Sequence, residues 1–145
     1  MALEDEFEAL SGVERALGYR RTFWSPEEAR IELELDERHM NLAGRVHGGI
    51  YAALLDDAAG YAVCWDGPES RGCPGVTLSL TVSYVGAPGT RRIVATGRRT
   101  GGGKSTSFVR AEARDGDGAL LATAEVVYKH FVTRGEPGSA TPTAG

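Results

Sequence analysis

The sequence has few of the residues that mark several large classes of protein. Its 145 residues include two cysteines, Cys64 and Cys73, too few for a disulfide framework and not in C-x-x-C spacing. No apolar run approaches the roughly 20 residues needed to cross a bilayer. The N-terminus is acidic and lacks the basic-then-apolar order of a signal peptide. We therefore expect a soluble, reduced, cytoplasmic protein that does not bind membranes.

Other absences exclude whole kinds of active site. The three histidines, His39, His47 and His130, show no ligand spacing, so we expect no metal. The G-x-S-x-G motif of serine hydrolases is missing. Lys and Arg number 16 against 20 Asp and Glu, a net charge of −4, and the basic stretch 91–104 contains no aromatic residue. Both features argue against a nucleic-acid partner.

The length and composition are those of one globular domain. Hydrophobic residues make up 41% and charged residues 25%, which is ordinary for a folded domain. We predict a single domain over 1–132, beginning with a helical segment at 1–17. Within that segment Ser11 and Glu14 fit a capping box, and Gly18 would end the helix. The tail 133–145 is rich in Gly, Pro, Ser and Thr and is predicted to be disordered.

Hydrophobic periodicity predicts the remaining elements. Alternation indicates strands over 19–24 and 29–36, and 36–46 shows no period. A helix follows at about 50–65, apolar on nearly all sides and therefore expected in the centre of the fold. Four strands complete the chain, at 76–84, 92–99, 107–114 and 119–131, with a glycine-rich turn at 100–103. The first of the four alternates strictly, so its apolar residues are expected on one face and its hydroxyl residues on the other. This order predicts an α+β fold, a long central helix wrapped by a curved antiparallel sheet.

Two acids interrupt the apolar helix. Asp is a poor interior helix former and is costly to bury when charged. For Asp57 the alternatives of a solvated acid, a partner of an arginine and a functional group all stay open. For Asp56 we favour a function because of the His47-Gly48-Gly49 sequence at the helix start. There, glycines let backbone N–H groups approach a carbonyl oxygen that gains negative charge.

The spacing of Gly48 and Asp56 indicates a shared site. They are eight residues apart, about 12 Å along a helix, too far to serve one carbonyl within one subunit. A two-fold homodimer would place the helix start of one chain beside Asp56 of the other. The central helices of the two chains could approach closely because four residues of this helix are small, namely Ala52, Ala53, Ala59 and Gly60.

These motifs together resemble a known family. The segment 41–49, NLAGRVHGG, and the segment 55–60, LDDAAG, are similar to the hotdog-fold acyl-CoA thioesterases of the phenylacetate-pathway (PaaI-like) type. The resemblance runs from about residue 18 to residue 131. It implies a hotdog fold, a homodimer or tetramer, and acyl-CoA as substrate, with CoA as part of that substrate and no other cofactor.

The resemblance also implies roles for individual residues. Asp56 would be the general base or nucleophile, and the Gly48 amide of the partner subunit would bind the oxyanion. The other implied catalytic residues are His47, Asn41 and Thr77, and the implied substrate-binding residues are Gly49, Tyr84, Gly103, Lys104 and Ser105. Simpler roles remain open, namely a helix cap for His47, a loop turn for Asn41 and a solvent-facing hydroxyl for Thr77.

Charge and alternation qualify two of these assignments. Positive charge concentrates around one hairpin, where it would suit CoA phosphates, in Arg91, Arg92, Arg98, Arg99 and Lys104. Strict alternation would place Thr77 and Tyr84 on opposite faces of their strand unless a bulge intervenes.

Two other functions remain possible on the same scaffold. One is a non-catalytic acyl-CoA-binding module, and the other is a hotdog dehydratase, although the His-plus-Glu pairing of that group is not evident. Phenylacetyl-like and medium-chain acyl groups are both compatible with the sequence.

Overall fold

A computed structural model describes residues 10–70 and 72–131, in which one long helix packs against a six-stranded antiparallel sheet. The elements are α1 (Gly12–Leu17), β1 (Arg20–Trp24), β2 (Glu28–Glu34), a short 3-10 helix (Glu37–His39), α2 (Gly48–Val63), β3 (Gly75–Tyr84), β4 (Arg92–Gly102), β5 (Thr106–Asp115) and β6 (Leu120–His130). The predicted order of elements and the α+β class are confirmed. The predicted helical residues 1–9 and the predicted disordered tail 133–145 lie outside the described residues.

The capping box at α1 is formed as predicted. The Ser11 hydroxyl accepts a hydrogen bond from the Glu14 amide at 3.2 Å, and a Glu14 carboxylate oxygen accepts one from the Ser11 amide at 2.7 Å. Gly18 ends the helix with φ of +79°, a conformation that glycine adopts without the steric cost of a side chain.

The sheet has the strand order β1-β2-β4-β5-β6-β3, with every neighbouring pair antiparallel. Its concave face covers α2, whose backbone comes closest at β4. There a Cβ atom on Gly97 would collide with the carbonyl oxygen of Ala58. A glycine at 97 therefore lets the central helix lie directly on the sheet.

The helix α2 begins and ends two residues earlier than predicted, because His47 is its N-cap and Val63 its last residue. Ala58, Ala59 and Ala62 are fully buried. The prediction that Ala59 allows close approach of a second helix is therefore wrong, since Ala59 packs in the protein's own core. Ala52, Ala53 and Gly60 are half-buried.

The strand β3 does not alternate strictly, contrary to the prediction. Its register with β6 shifts between Thr77 and Ser79, which makes Leu78 the extra residue of a β-bulge. Val76 and Leu78 are exposed, whereas Leu80 packs against the core. The bulge thereby turns Thr77 to the same face as Leu80.

The cysteines and the end of β4 differ from the predictions. Cys64 and Cys73 form a disulfide between the end of α2 and the segment before β3, so the expectation of reduced thiols is wrong for this structure. The strand β4 continues to Gly102, through most of the predicted glycine-rich turn. Within the described ranges, no helix is long and apolar enough to cross a membrane.

Candidate active site

Asp56 lies half-buried on α2 and is hydrogen-bonded to the neighbouring strand. The Thr77 hydroxyl donates to Oδ1 of Asp56 at 2.6 Å. The alternative of a solvent-facing Thr77 is therefore excluded. Asp56 and Thr77 line a cleft of about 350 Å³, together with Gly60, Val76 and Tyr128. A hydrogen bond to one oxygen orients the carboxylate, and the second oxygen receives no hydrogen bond from any described residue.

The adjacent acid, Asp57, has a different environment. The Tyr19 hydroxyl donates to its Oδ2 at 2.6 Å, so its partner is a tyrosine and not an arginine. Burial, together with the charges of Glu14 and Asp56 and against the lowering effect of the Tyr19 hydrogen bond, raises the pKa of Asp57 to about 6. Asp57 therefore differs from Asp56 in being held by an internal partner from the N-terminal part of the domain.

At the start of α2, His47 is a helix cap. Its Nδ1 accepts a hydrogen bond from the Gly49 amide at 2.9 Å, so the Gly49 N–H predicted to meet substrate is occupied within the protein. The Gly48 N–H has no hydrogen-bond partner among residues 10–70 and 72–131. Of the two glycine amides, that of Gly48 is left for a ligand at the positive end of the helix dipole.

Tyr84 fixes the same peptide from the opposite side. Its hydroxyl donates to the Gly48 carbonyl oxygen at 2.8 Å. Tyr84 and Thr77 both contact α2 because of the bulge at Leu78, which resolves the conflict raised by strict alternation. A Cβ atom on Gly48 would lie 3.1 Å from the Tyr84 hydroxyl, so only a glycine fits there without displacement.

Asn41 forms a turn in the loop before α2. Its Oδ1 accepts hydrogen bonds from the amides of Ala43 at 2.9 Å and Arg45 at 3.1 Å. Asn41 also lines a cavity of about 910 Å³ with Gly48 and Tyr84. We call this the N-terminal cavity. The loop-turn role is thus present, and the side-chain NH₂ group has no partner in the part of the chain that is described.

The hairpin 103–105 lies at the opposite end of the domain from Gly48. The Ser105 carbonyl accepts a hydrogen bond from the His130 amide at 2.8 Å, and His130 lies beside Cys73, whose disulfide partner caps the C-terminus of α2. Gly103 and Lys104 are exposed in this hairpin.

Within one chain the predicted residues consequently form two separate clusters. Asn41, His47, Gly48 and Tyr84 lie at the N-terminal end of α2, and Asp56 with Thr77 lies about 12 Å further along it.

The basic residues do not form one patch. Arg92 pairs with Glu32 and Arg98 with Glu28, each at 2.9 Å, and these pairs lie toward opposite ends of the β2–β4 pairing. Arg99 donates to the Ser107 hydroxyl at 3.2 Å. The prediction of concentrated free positive charge around one hairpin is therefore wrong for Arg92 and Arg98.

One cluster has metal-binding residue types. Donor atoms of Cys64, Cys73 and His130 lie within 4.8 Å of one another. The two sulfur atoms are joined to each other, which removes the thiolates that a metal would need.

Sequence reasoning missed two tyrosines at these sites. Tyr19 pairs with Asp57 across 38 residues of sequence, a contact that no local pattern reveals. Tyr51 lines the N-terminal cavity, and its only signal was a polar-tipped aromatic one turn after Gly48 in an otherwise apolar helix.

Comparison with known proteins gives matches of three kinds. Residues 43–122, just over half of the chain, match the family model of the thioesterase superfamily. The mouse protein named acyl-coenzyme A thioesterase 13 is 31% identical over 89 residues, which span 61% of this chain and 61% of that protein. The chain thus matches less than two thirds of that relative's length.

Solved structures extend the similarity to most of the described residues. A mutant of the phenylacetic acid degradation protein PaaI from Thermus thermophilus is 28% identical, with a TM-score of 0.72, covering 83% of this chain and all of that one. The Escherichia coli PaaI protein has a TM-score of 0.75 at 19% identity, covering 89% of this chain and 91% of its own.

Proposed function

Because the chain belongs to the thioesterase superfamily and has its hotdog fold, we propose that it hydrolyses the thioester bond of acyl-CoA. The observation that carries the proposal is the Asp56–Thr77 pair, a carboxylate held at 2.6 Å by a hydroxyl in a cleft on an otherwise apolar helix. Relatives named as acyl-CoA thioesterases support the substrate class. The acyl group is a phenylacetyl-like or a medium-chain group.

The chemistry needs a base or nucleophile and an oxyanion donor. As a general base, Asp56 takes a proton from water while the water oxygen attacks the thioester carbon. The carbonyl oxygen gains negative charge and accepts a hydrogen bond from the Gly48 N–H. The C–S bond then breaks, and the CoA thiolate leaves and is protonated. As a nucleophile, Asp56 would instead form a mixed anhydride that water hydrolyses. Either route yields a carboxylic acid and CoA, and neither uses another cofactor.

The two clusters must come from two chains for this reaction. We propose a homodimer as the minimal active unit, further assembled into a tetramer, in which Asp56 faces Gly48 of the partner subunit across a two-fold axis. The half-buried Ala52, Ala53 and Gly60 on α2 are compatible with close approach of a second helix. Asn41 and Tyr84 would then support the carbonyl end of the substrate, and the hairpin 103–105 would contact CoA.

A thiol-release assay over a panel of acyl-CoA thioesters tests the proposal. Wild type should release CoA, and Asp56→Asn should lose about 100-fold or more in kcat. Asp57→Asn is the matched control, because it removes a neighbouring carboxylate yet keeps an acceptor for Tyr19, and it should stay within a few-fold of wild type. Tight acyl-CoA binding without release would instead indicate a binding module, and hydration of an enoyl-CoA would indicate a dehydratase.

A further inference from the structure

The N-terminal cavity has an unusual polar group in its wall. The cavity holds about 910 Å³ and is lined by the loop before α2, the first turn of α2 and the connection between β3 and β4. Tyr51, the fourth residue of α2, lines it and is only 4% exposed. Its ring lies 6.1 Å from that of Tyr84, centroid to centroid. The cavity therefore contains a buried tyrosine one helical turn beyond the Gly48 amide.

The hydroxyl of Tyr51 is buried and has no hydrogen-bond partner in the described residues. Three other tyrosine hydroxyls near α2 are paired: Tyr19 with Asp57, Tyr61 with Glu14 and Tyr84 with Gly48. Leaving a buried hydroxyl without a partner costs free energy that a phenylalanine would not cost. The fold alone thus gives no reason for the oxygen atom at this position.

The nearby acid does not supply the missing partner. Asp115 uses one carboxylate oxygen to accept from the Gly89 amide at 2.8 Å, and the other to accept from the amides of Asp117 and Ala119 at 3.0 Å. Burial, together with the charge of Asp115, raises the pKa of Tyr51. The Tyr51 hydroxyl therefore keeps its proton at neutral pH, and because it is fully buried, a ligand oxygen reaches it only when the ring moves toward the cavity.

We propose that the N-terminal cavity takes the acyl group and that the Tyr51 hydroxyl donates a hydrogen bond to an oxygen atom on that group. The preferred substrates are then oxygen-substituted acyl thioesters and not plain hydrocarbon ones. This inference rests on the proposed thioester hydrolysis. Tyr51 is three residues from Gly48, about 4.5 Å along the helix axis. Gly48 and Tyr51 line the same cavity, so an acyl group whose carbonyl meets the Gly48 N–H and whose chain enters the cavity would pass Tyr51 within its first few carbon atoms.

The other polar groups of the cavity fit an oxygen-bearing ligand. Arg45 and Arg91 line it, and no carboxylate is among its described lining residues. A hydrogen-bond acceptor therefore meets two guanidinium donors and no repelling carboxylate among these residues. The acceptor is a hydroxyl, an oxo group or a carboxylate, and the substrate arms of the experiment separate these sources.

The test compares wild type with Tyr51→Phe on six-carbon thioesters of matched size. The probes are hexanoyl-CoA, its monohydroxy and mono-oxo derivatives at each chain position, and adipoyl-CoA. Wild type should favour at least one oxygen-substituted thioester over hexanoyl-CoA by about 10-fold in kcat/KM. Tyr51→Phe should abolish that preference, by lowering kcat/KM for the oxygen-substituted thioester more than kcat/KM for hexanoyl-CoA, and a preference that survives in Tyr51→Phe overturns the inference. The unliganded variant should also melt about 2–4 °C higher, because an unpaired buried hydroxyl is gone.

The outcomes separate this inference from the proposed function. If wild type hydrolyses hexanoyl-CoA with a kcat/KM equal to that for every oxygen-substituted probe, the inference is overturned and the hydrolase stands. This comparison uses wild type alone. If no probe is hydrolysed, the hydrolase fails, and calorimetric binding of the same thioesters tests Tyr51 directly. Tighter binding of an oxygen-substituted probe that disappears in Tyr51→Phe supports the inference, and equal binding overturns it.

Discussion

The Thr77 hydroxyl donates a 2.6 Å hydrogen bond to Oδ1 of Asp56, and it reaches that oxygen because Leu78 is a bulge residue in β3. Without the bulge, Thr77 and Tyr84, seven residues apart, would face opposite sides of the sheet. With it, both contact α2, at the two positions where the proposed chemistry needs support. One irregular residue thus orients both clusters.

Removing the Thr77 hydroxyl should impair catalysis without unfolding the protein. Thr77→Val keeps the side-chain shape but leaves the Asp56 carboxylate without its donor, a hydrogen bond to a charged group that contributes about 1.5–3 kcal/mol. We expect kcat to fall about 10- to 100-fold in a thiol-release assay. Thr77→Ser keeps a hydroxyl and should stay within a few-fold of wild type. Equal loss in the two variants would show that the strand position, and not the hydroxyl, matters.

The raised pKa of Asp57 predicts a pH-dependent stability difference. Its folded-state pKa is about 6, above the ordinary value of 3.8, so the folded state favours the protonated acid. The resulting destabilisation is absent below about pH 4, grows as pH rises from 4 to 6, and is complete above that range. Asp57→Asn cannot ionise but still accepts from Tyr19. Denaturant unfolding should therefore show Asp57→Asn gaining on wild type by about 2–3 kcal/mol between pH 4 and pH 8.

The critical observation is how the difference in unfolding free energy between Asp57→Asn and wild type changes with pH. A gap between Asp57→Asn and wild type that is constant with pH would mean that Asp57 is not destabilised by ionisation. Tyr19→Phe gives a second check. It removes the hydrogen bond that lowers the pKa of Asp57, so the pH range of the transition should move upward.

Periodicity predicted the helices and strands because each element contributes a regular apolar face to one core. The capping box at Ser11 and the central helix followed from local patterns that tertiary contacts did not override. The bulge at Leu78 could not be predicted, because the flanking alternation of apolar and hydroxyl residues fits either face. Packing against α2 decides which side chains of β3 face the core.

The residues of the candidate site were predictable only in part. Asp56 was visible as an acid in an apolar helix, and Gly48 as a glycine at a helix start. The partner of Asp57 is 38 residues away, and the missing partner of Tyr51 is evident only when its surroundings are known. The Cys64–Cys73 disulfide depends on where the chain returns after α2, which spacing alone does not reveal.

The stability cost of a side chain at position 48 should depend on Tyr84. In Gly48→Ala the new Cβ would lie 3.1 Å from the Tyr84 hydroxyl, so we expect lower stability by about 1 kcal/mol and a loss of about 10-fold in kcat/KM. The ring carbon Cζ of Tyr84 would lie equally close, at 3.1 Å. In a Tyr84→Ala background, which removes both atoms, the stability cost of Gly48→Ala should therefore be smaller. Unfolding free energies of the four proteins give the coupling. Gly101→Ala is the control, because nothing lies within 4 Å of its Cβ. Equal costs in both backgrounds would rule out the coupling.

The separation of Gly48 and Asp56 along α2 makes a shared site directly testable. Asp56→Ala removes the carboxylate, and Gly48→Val blocks the helix start, so each homodimer should be inactive. After mixing and subunit exchange, half of the dimers contain one chain of each kind, and each of these has one intact site and one doubly damaged site. Thiol release should recover to about one quarter of the wild-type rate. A double mutant carrying both changes on one chain, mixed with wild type, is the converse control. Its mixed dimers should have no intact site, because each site would contain one damaged half. No recovery in the first mixture after subunit exchange, together with no loss in the second, would contradict a site built from two chains.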